Sequence, residues 1–235
     1  MNQMRVIAFI SPKGGAGKTT AALVLGLGLV EQGWRVAMID SDPNKPLVQW
    51  AALPGRPDRL TVHPAPTPQD IRDAQRDAGR CDPDWVILDT EGSARGALAF
   101  MTLRPDLVVT PLAGSQLDVV QAIKAAEMVQ DFGKHGGRPM PHRCLLTRIP
   151  AAIRSRSLQA VLSQLHAAGI ELLPTALLEK EAYRALFWIG GGFRSLETDG
   201  VGGVASARRN AAEYVAAVLS EVGRRAPADA EMAKV

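Results

Sequence analysis

The chain has 235 residues, 46% of them apolar and 22% charged, a composition that excludes disorder and leaves a core of ordinary size. At this length roughly 70% of the unfolded surface can be buried, so no disulfide or metal staple is needed, and Cys81 and Cys144, with no Cys-x-x-Cys and no His cluster, signal neither a disulfide framework nor a zinc site. The net charge of +3 divides unevenly: residues 1–120 carry 12 Lys/Arg against 13 Asp/Glu, residues 121–235 carry 15 against 11, so a polyanion surface is expected in the second half.

Met1 to Arg5 leads straight into Val6-Ile7-Ala8-Phe9-Ile10, a run too short for a secretory core, and no run approaches the 18 or so apolar residues of a membrane span. A cytoplasmic location is expected. Short apolar runs then alternate with helical patterns. Strands are expected at about 4–10, 34–40, 60–64, 84–89, 106–110, 142–147 and 170–173. Helices are expected at about 18–32, 45–52, 67–79, 95–103, 115–132, 155–168, 179–188 and 204–224. This repetition predicts an α/β fold: a doubly wound, mostly parallel sheet with helices on both faces and a ligand crevice at the carboxyl ends of the strands. Prolines between 54 and 68 and the glycines 190–192 punctuate connections without dividing the chain, so residues 1–225 are expected to form one domain and 226–235 a frayed tail.

After the first strand comes Ser11-Pro12-Lys13-Gly14-Gly15-Ala16-Gly17-Lys18-Thr19-Thr20, then the helix formers Ala21 to Leu25. Strand, glycine loop and helix in this order predict a phosphate cradle, because glycines let backbone N–H groups turn inward and the helix N-terminus adds positive potential. Lys18 is expected on the β- and γ-phosphates and the Thr19 hydroxyl on Mg²⁺. The second strand ends in Asp40-Ser41-Asp42-Pro43; alternation would point both carboxylates the same way, though the segment also reads as a turn and helix cap. The fourth strand ends in Asp89, an apolar run closed by a carboxylate, which suits Mg²⁺.

The loop residues Lys13, Gly14, Gly15, Ala16, Gly17, Lys18, Thr19 and Thr20 resemble the deviant Walker A motif of the ParA/MinD family of P-loop ATPases. The likeness extends over nearly the whole chain and looks like a short-form ParA without the operator-binding domain of longer members. It implies ATP and Mg²⁺ as cofactors and slow hydrolysis stimulated by a small ParB-like or adaptor protein. Lys13 would reach across an ATP-sandwich dimer to the partner's phosphates, Asp42 would position the attacking water, and Asp40 would support the metal site. Where the family continues Thr-Pro-Pro after the fourth strand, this chain has Thr90-Glu91-Gly92-Ser93: Gly92 offers an N–H to the γ-phosphate and Glu91 adds negative charge. Ser115-Gln116-Leu117-Asp118 is similar to the segment that opens a helix bordering the dimer interface, and is equally explained as a helix cap. The segment from Asp40 to Trp50 resembles the VirC-type ATPase that assists T-DNA transfer more than it resembles partition proteins.

No Asn-Lys-x-Asp occurs, so ATP is favoured over GTP by resemblance, and Arg148 either stacks on adenine or faces solvent. From Arg138 to Ile170 there are five arginines and no acidic residue. ParA-like proteins bind DNA without sequence preference, and the resemblance points to Arg208 and Arg209, then Arg154 and Arg156, on a nucleoid-associated ATP state. The tail from Ala226 to Val235 lacks the bulky apolar residues of a membrane-targeting helix. Two other readings use the same phosphate loop: a ligase that phosphorylates a small carboxylated substrate, and an ATP-gated adaptor in DNA transfer. An iron–sulfur carrier is disfavoured because the two cysteines lack paired interface spacing.

Overall fold

Side chains alternate across a strand, so a strand buried on both faces feeds two cores at once. The computed structural model, which describes residues 4–80, 82–93, 101–137, 139–150 and 156–223, shows this partition along its central strands. On β1 (Arg5–Phe9), Ile7 and Phe9 enter one core while Val6 and Ala8 enter the other. β2 (Val36–Asp40) and β4 (Trp85–Asp89) divide likewise, Met38 and Ile87 on the first side, Ile39 and Leu88 on the second.

With β3 (Leu60–Pro64), β5 (Leu107–Leu112), β6 (His142–Ile149) and β7 (Leu177–Leu178), these form one seven-stranded sheet in the order β3-β2-β4-β1-β5-β6-β7. Every pairing is parallel. α1 (Lys18–Glu31) is buried along its whole middle, Ala21 to Leu29, between the sheet and α8 (Val204–Gly223), which explains why it is apolar all round rather than amphipathic. α2 (Pro46–Ala51), α6 (Glu181–Ile189) and α7 (Phe193–Thr198) complete that face. α3 (Pro68–Arg80) and α4 (Gln116–His135) cover the other, and α5 (Arg156–Ala167) packs on α4.

Two elements depart from expectation. The strand expected at 170–173 reduces to a single bridge, Leu172 to Cys144, and the true edge strand is Leu177–Leu178. Leu173 still donates to the Cys144 carbonyl at 2.8 Å, but Pro174 follows and has no N–H to continue the ladder. The short α7 carries no sequence signal, because six residues after three glycines are too few to show a period. The helix expected at 95–103 lies mostly outside the described residues, and Cys81, Arg138, Arg154, Arg224, Arg225 and the tail 226–235 lie outside them entirely. Among the described residues no helix is long and apolar enough to cross a membrane.

The core also holds a polar atom that does no bonding. Tyr214 on α8 is fully buried and its hydroxyl has no partner among the described residues; desolvation holds its pKa well above the usual value. Tyr214→Phe removes an unpaired hydroxyl at constant shape and is expected to raise stability by about 1 kcal/mol. Urea unfolding would show the midpoint move up; a fall of similar size would mean that the hydroxyl is paired.

Candidate active site

The carboxyl ends of β1, β2 and β4 meet at one rim of the sheet. Phe9 and Asp40 both stand in register with Asp89, so three chain exits converge on that residue. Backbone bonds fix the rim: Ser41 N–H donates to the Asp89 carbonyl at 2.9 Å, and the Thr90 hydroxyl donates to the Phe9 carbonyl at 2.8 Å.

From β1 the chain turns through Lys13 to Gly17 into the first residue of α1, Lys18. The Lys13 N–H donates to Ser11 Oγ, which itself donates to the Lys13 carbonyl at 2.8 Å, so the backbone is held while the exposed Lys13 side chain makes no bond or ion pair among the described residues. Lys18 is 6% exposed. Burial lowers its pKa, and the negative charges of Asp89, Asp42 and Glu91, in that order, pull it back up. Carboxylates from the end of β4 and from the loops after β2 and β4 thus act on one buried ammonium.

Asp89 is fully buried and, among the described residues, neither of its oxygens completes a hydrogen bond, although the Thr19 hydroxyl lies beside it. Burial pushes its carboxyl up to about 7, against the opposing pull of Thr19 and the Lys18 charge. A buried carboxylate left unpaired costs free energy unless something binds it. The pair of hard oxygen donors, Asp89 and Thr19, suits a small divalent cation that completes its shell with phosphate and water. Among the described residues no cluster of three or more His, Cys, Asp or Glu could hold a metal unaided, so such a cation would be shared with the ligand.

Asp40 is also buried, but its oxygens are taken up by the backbone. They accept from the N–H groups of Asp42 at 3.2 Å, Leu47 at 2.8 Å and Val48 at 3.1 Å. It therefore caps α2 from outside the helix and shapes the loop that carries Asp42. Burial raises the Asp40 pKa despite those three bonds. Strand alternation does not reach Asp42, because β2 ends at Asp40; Asp42 sits in a turn of its own, its Oδ1 accepting from Asn44 N–H at 2.8 Å. Just beyond that turn, Lys45 adopts a left-handed conformation at φ 52°, a strained choice for a non-glycine residue and one that clusters at functional loops.

The loop after β4 presses on the phosphate loop. A Cβ on Gly92 would stand 2.6 Å from Gly14 Cα and 3.0 Å from Lys18 Nζ, so only glycine fits there. Ser115 and Asp118 form the helix cap: Ser115 N–H and Oγ donate to Asp118 Oδ2 at 2.9 and 2.8 Å.

Beyond the phosphate loop lies a pocket of about 290 Å³ lined by Gly17, Thr20, Arg148, Lys180, Tyr183 and Arg184, among others. Arg148 occupies a bulge between β6 and β7, with φ 56°, and bulges re-aim side chains beside functional sites. The other walls of this pocket come from the end of β6, β7 and α6, far along the chain; of the lining residues, the sequence names Gly17, Thr20 and Arg148 and none from β7 or α6. Of the arginines expected on a polyanion surface, Arg156 and Arg209 are exposed with no ion pair among the described residues. Arg208 pairs with Glu31 of α1 and Glu197 of α7, each at 3.0 Å, and these bonds account for its place at the start of α8.

The family model described as VirC1 protein matches residues 4–224. A protein named ParA from Rhizobium radiobacter is 32% identical over 221 residues, covering 93% of this chain and 98% of its own. A virC1 protein of Rhizobium rhizogenes is 27% identical over 187 residues, covering 78% of this chain and 80% of its own. Among solved structures, the ATP complex of a Cyanothece McdA variant superposes with a TM-score of 0.72 at 18% identity, covering 93% of this chain and 97% of its own, a likeness of fold. The glycine loop between β1 and α1, the carboxylates on the neighbouring strand ends and these matches agree, and the chain belongs to the VirC1 family of ParA/MinD-type P-loop proteins.

Proposed function

We propose that the chain is a Mg²⁺-dependent ATPase of the ParA type that dimerises around ATP, binds DNA without sequence preference in that state, and positions or segregates a cargo. The observation that carries this reading is Asp89, buried beside Thr19 and the buried Lys18 without a hydrogen-bond partner among the described residues. Support also comes from the relatives named ParA and virC1 and from the ATP bound by the McdA variant of like fold. When bound, Mg²⁺ neutralises charge that develops on the phosphates, and Thr19 and Asp89 would hold it. Lys18 and the loop from Gly14 to Thr20 bind the β- and γ-phosphates, Asp42 orients the attacking water, and Asp40 holds the Asp42 loop in place. Arg148 lines the pocket assigned to the base.

Lys13 faces outward with no partner in its own chain among the described residues, so a phosphate bound by a second copy would give it one. That contact exists only in the ATP-bound dimer, and hydrolysis, stimulated by a small ParB-like or adaptor protein, removes it. DNA contacts are assigned to Arg209, Arg156 and Arg154, with Arg208 contributing in part because two glutamates already hold it. Nucleoid association in the ATP state follows.

Retention on a DNA column tests this. Wild type is expected to be retained with ATP and eluted without it, with retention falling steeply as salt rises, while Lys13→Ala is not retained under either condition. Equal, nucleotide-independent retention of both would sink the proposal. The VirC1 match favours a second reading, an accessory ATPase in conjugative DNA transfer; preferential retention on a transfer-origin sequence would select it.

A further inference from the structure

We infer that Thr147 is a positioning residue for the phosphate cradle: its hydroxyl fixes the Ala16–Gly17 peptide so that the Gly17 N–H faces the nucleotide's phosphates. The inference rests on the nucleotide-binding reading above and adds to it a residue from the far half of the chain.

Thr147 is 2% exposed and lies near the end of β6, one position past the last residue of that strand paired with β5, Leu146 opposite Leu112. Its Oγ1 donates to the Ala16 carbonyl at 2.9 Å, with the Leu112 carbonyl at 3.2 Å sharing the proton. A trans peptide is planar and its C=O and N–H point in opposite directions. Anchoring the Ala16 carbonyl onto the sheet therefore turns the Gly17 N–H away from it, toward the open side of the loop. That N–H finds no acceptor among the described residues, as a donor reserved for a ligand should.

Two further features show that the contact is built rather than incidental. Gly17 sits at φ +87°, a conformation that favours glycine, and a Cβ on it would already stand in contact with Thr147 Oγ1 at 3.4 Å, so loop and strand end pack directly on each other. The following residue, Arg148, takes the left-handed conformation at the bulge, which lets Thr147 face the phosphate loop while Arg148 faces the adjoining pocket. One strand end thereby serves both halves of a nucleotide. In a loop of glycines, which has many backbone states available, an external anchor on one carbonyl removes freedom that phosphate binding would otherwise have to remove.

The test is titration of fluorescent ATP and ADP analogues into wild type, Thr147→Val and Thr147→Ser, with thermal melts alongside. Thr147→Val keeps the shape and loses the hydroxyl, and is expected to weaken both nucleotides about tenfold, whereas Thr147→Ser keeps the donor and restores affinity to within about twofold. Thr147→Ala replaces the valine variant should that one not fold. A purely structural role predicts a lower melting temperature with unchanged affinity, or Ser and Val equally weak, and either result overturns the inference. Wild type that binds no nucleotide overturns the nucleotide reading itself, and the inference falls with it; wild-type binding matched by Thr147→Val overturns the inference alone.

Discussion

Gly92→Ala is expected to slow ATP hydrolysis by about a hundredfold or more while leaving the sheet folded. The added methyl would meet Gly14 Cα at 2.6 Å, Gly14 N at 2.9 Å and Lys18 Nζ at 3.0 Å. The first two atoms are backbone of the phosphate loop and cannot swing aside as a flexible side-chain tip does. Either the loop after β4 or the phosphate loop must move, and under the function proposed above both carry groups that have to be placed within tenths of an ångström of a reacting phosphate. Gly79→Ala is the matched control: it lies on α3 with nothing within 4 Å of the new methyl, and it should leave turnover unchanged. Phosphate release and circular dichroism on the two variants decide the matter, and normal turnover in Gly92→Ala would show that the two loops separate before catalysis.

The second large effect concerns Asp89. Its carboxyl is raised to about 7 in the folded chain against an ordinary value of 3.8, so between those pH values the folded state keeps a proton that the unfolded state has released. Stability supplied by that proton is whole below about pH 4 and is lost as pH rises through 7, at up to roughly 1.4 kcal/mol for each unit of pH in the window. Asp89→Asn cannot ionise, so the difference in stability between wild type and variant should grow in the variant's favour from pH 5 to pH 8, with all other titrations cancelling. Mg²⁺ with ATP should reverse this at pH 8, stabilising wild type and not the variant, because the cation requires the deprotonated carboxylate. Urea midpoints at four pH values give the comparison. Parallel profiles would mean that Asp89 is solvated and paired after all. Hydrolysis by Asp89→Asn should be lost at every pH.

Much of the site is legible in the sequence. The glycine loop, Lys18, Thr19 and Asp89 are neighbours in sequence of the strand ends that carry them, so motif and period suffice to place them. Asp40 shows where such reasoning stops. Alternation along β2 predicts that it points the same way as Asp42, and the family resemblance gives it a part in the metal site, but three N–H groups from the Asp42 turn and α2 claim its oxygens, and only the path of the chain after β2 reveals that. Arg208 is a similar case: a cation at a helix start has no local reason, and its reason is two glutamates from α1 and α7.

The 235 residues by themselves determined the fold class, the phosphate loop and the identity of the carboxylates at the strand ends, because each rests on contacts between residues near in sequence or on a periodic pattern of burial. Tertiary structure alone decided what those groups do with their spare bonds: that Asp89 is left without a partner among the described residues, that Gly92 abuts Gly14, and that Thr147 lies under Ala16. Those relations join positions separated by tens to more than a hundred residues, through the order in which parallel strands assemble, and no local pattern encodes that order.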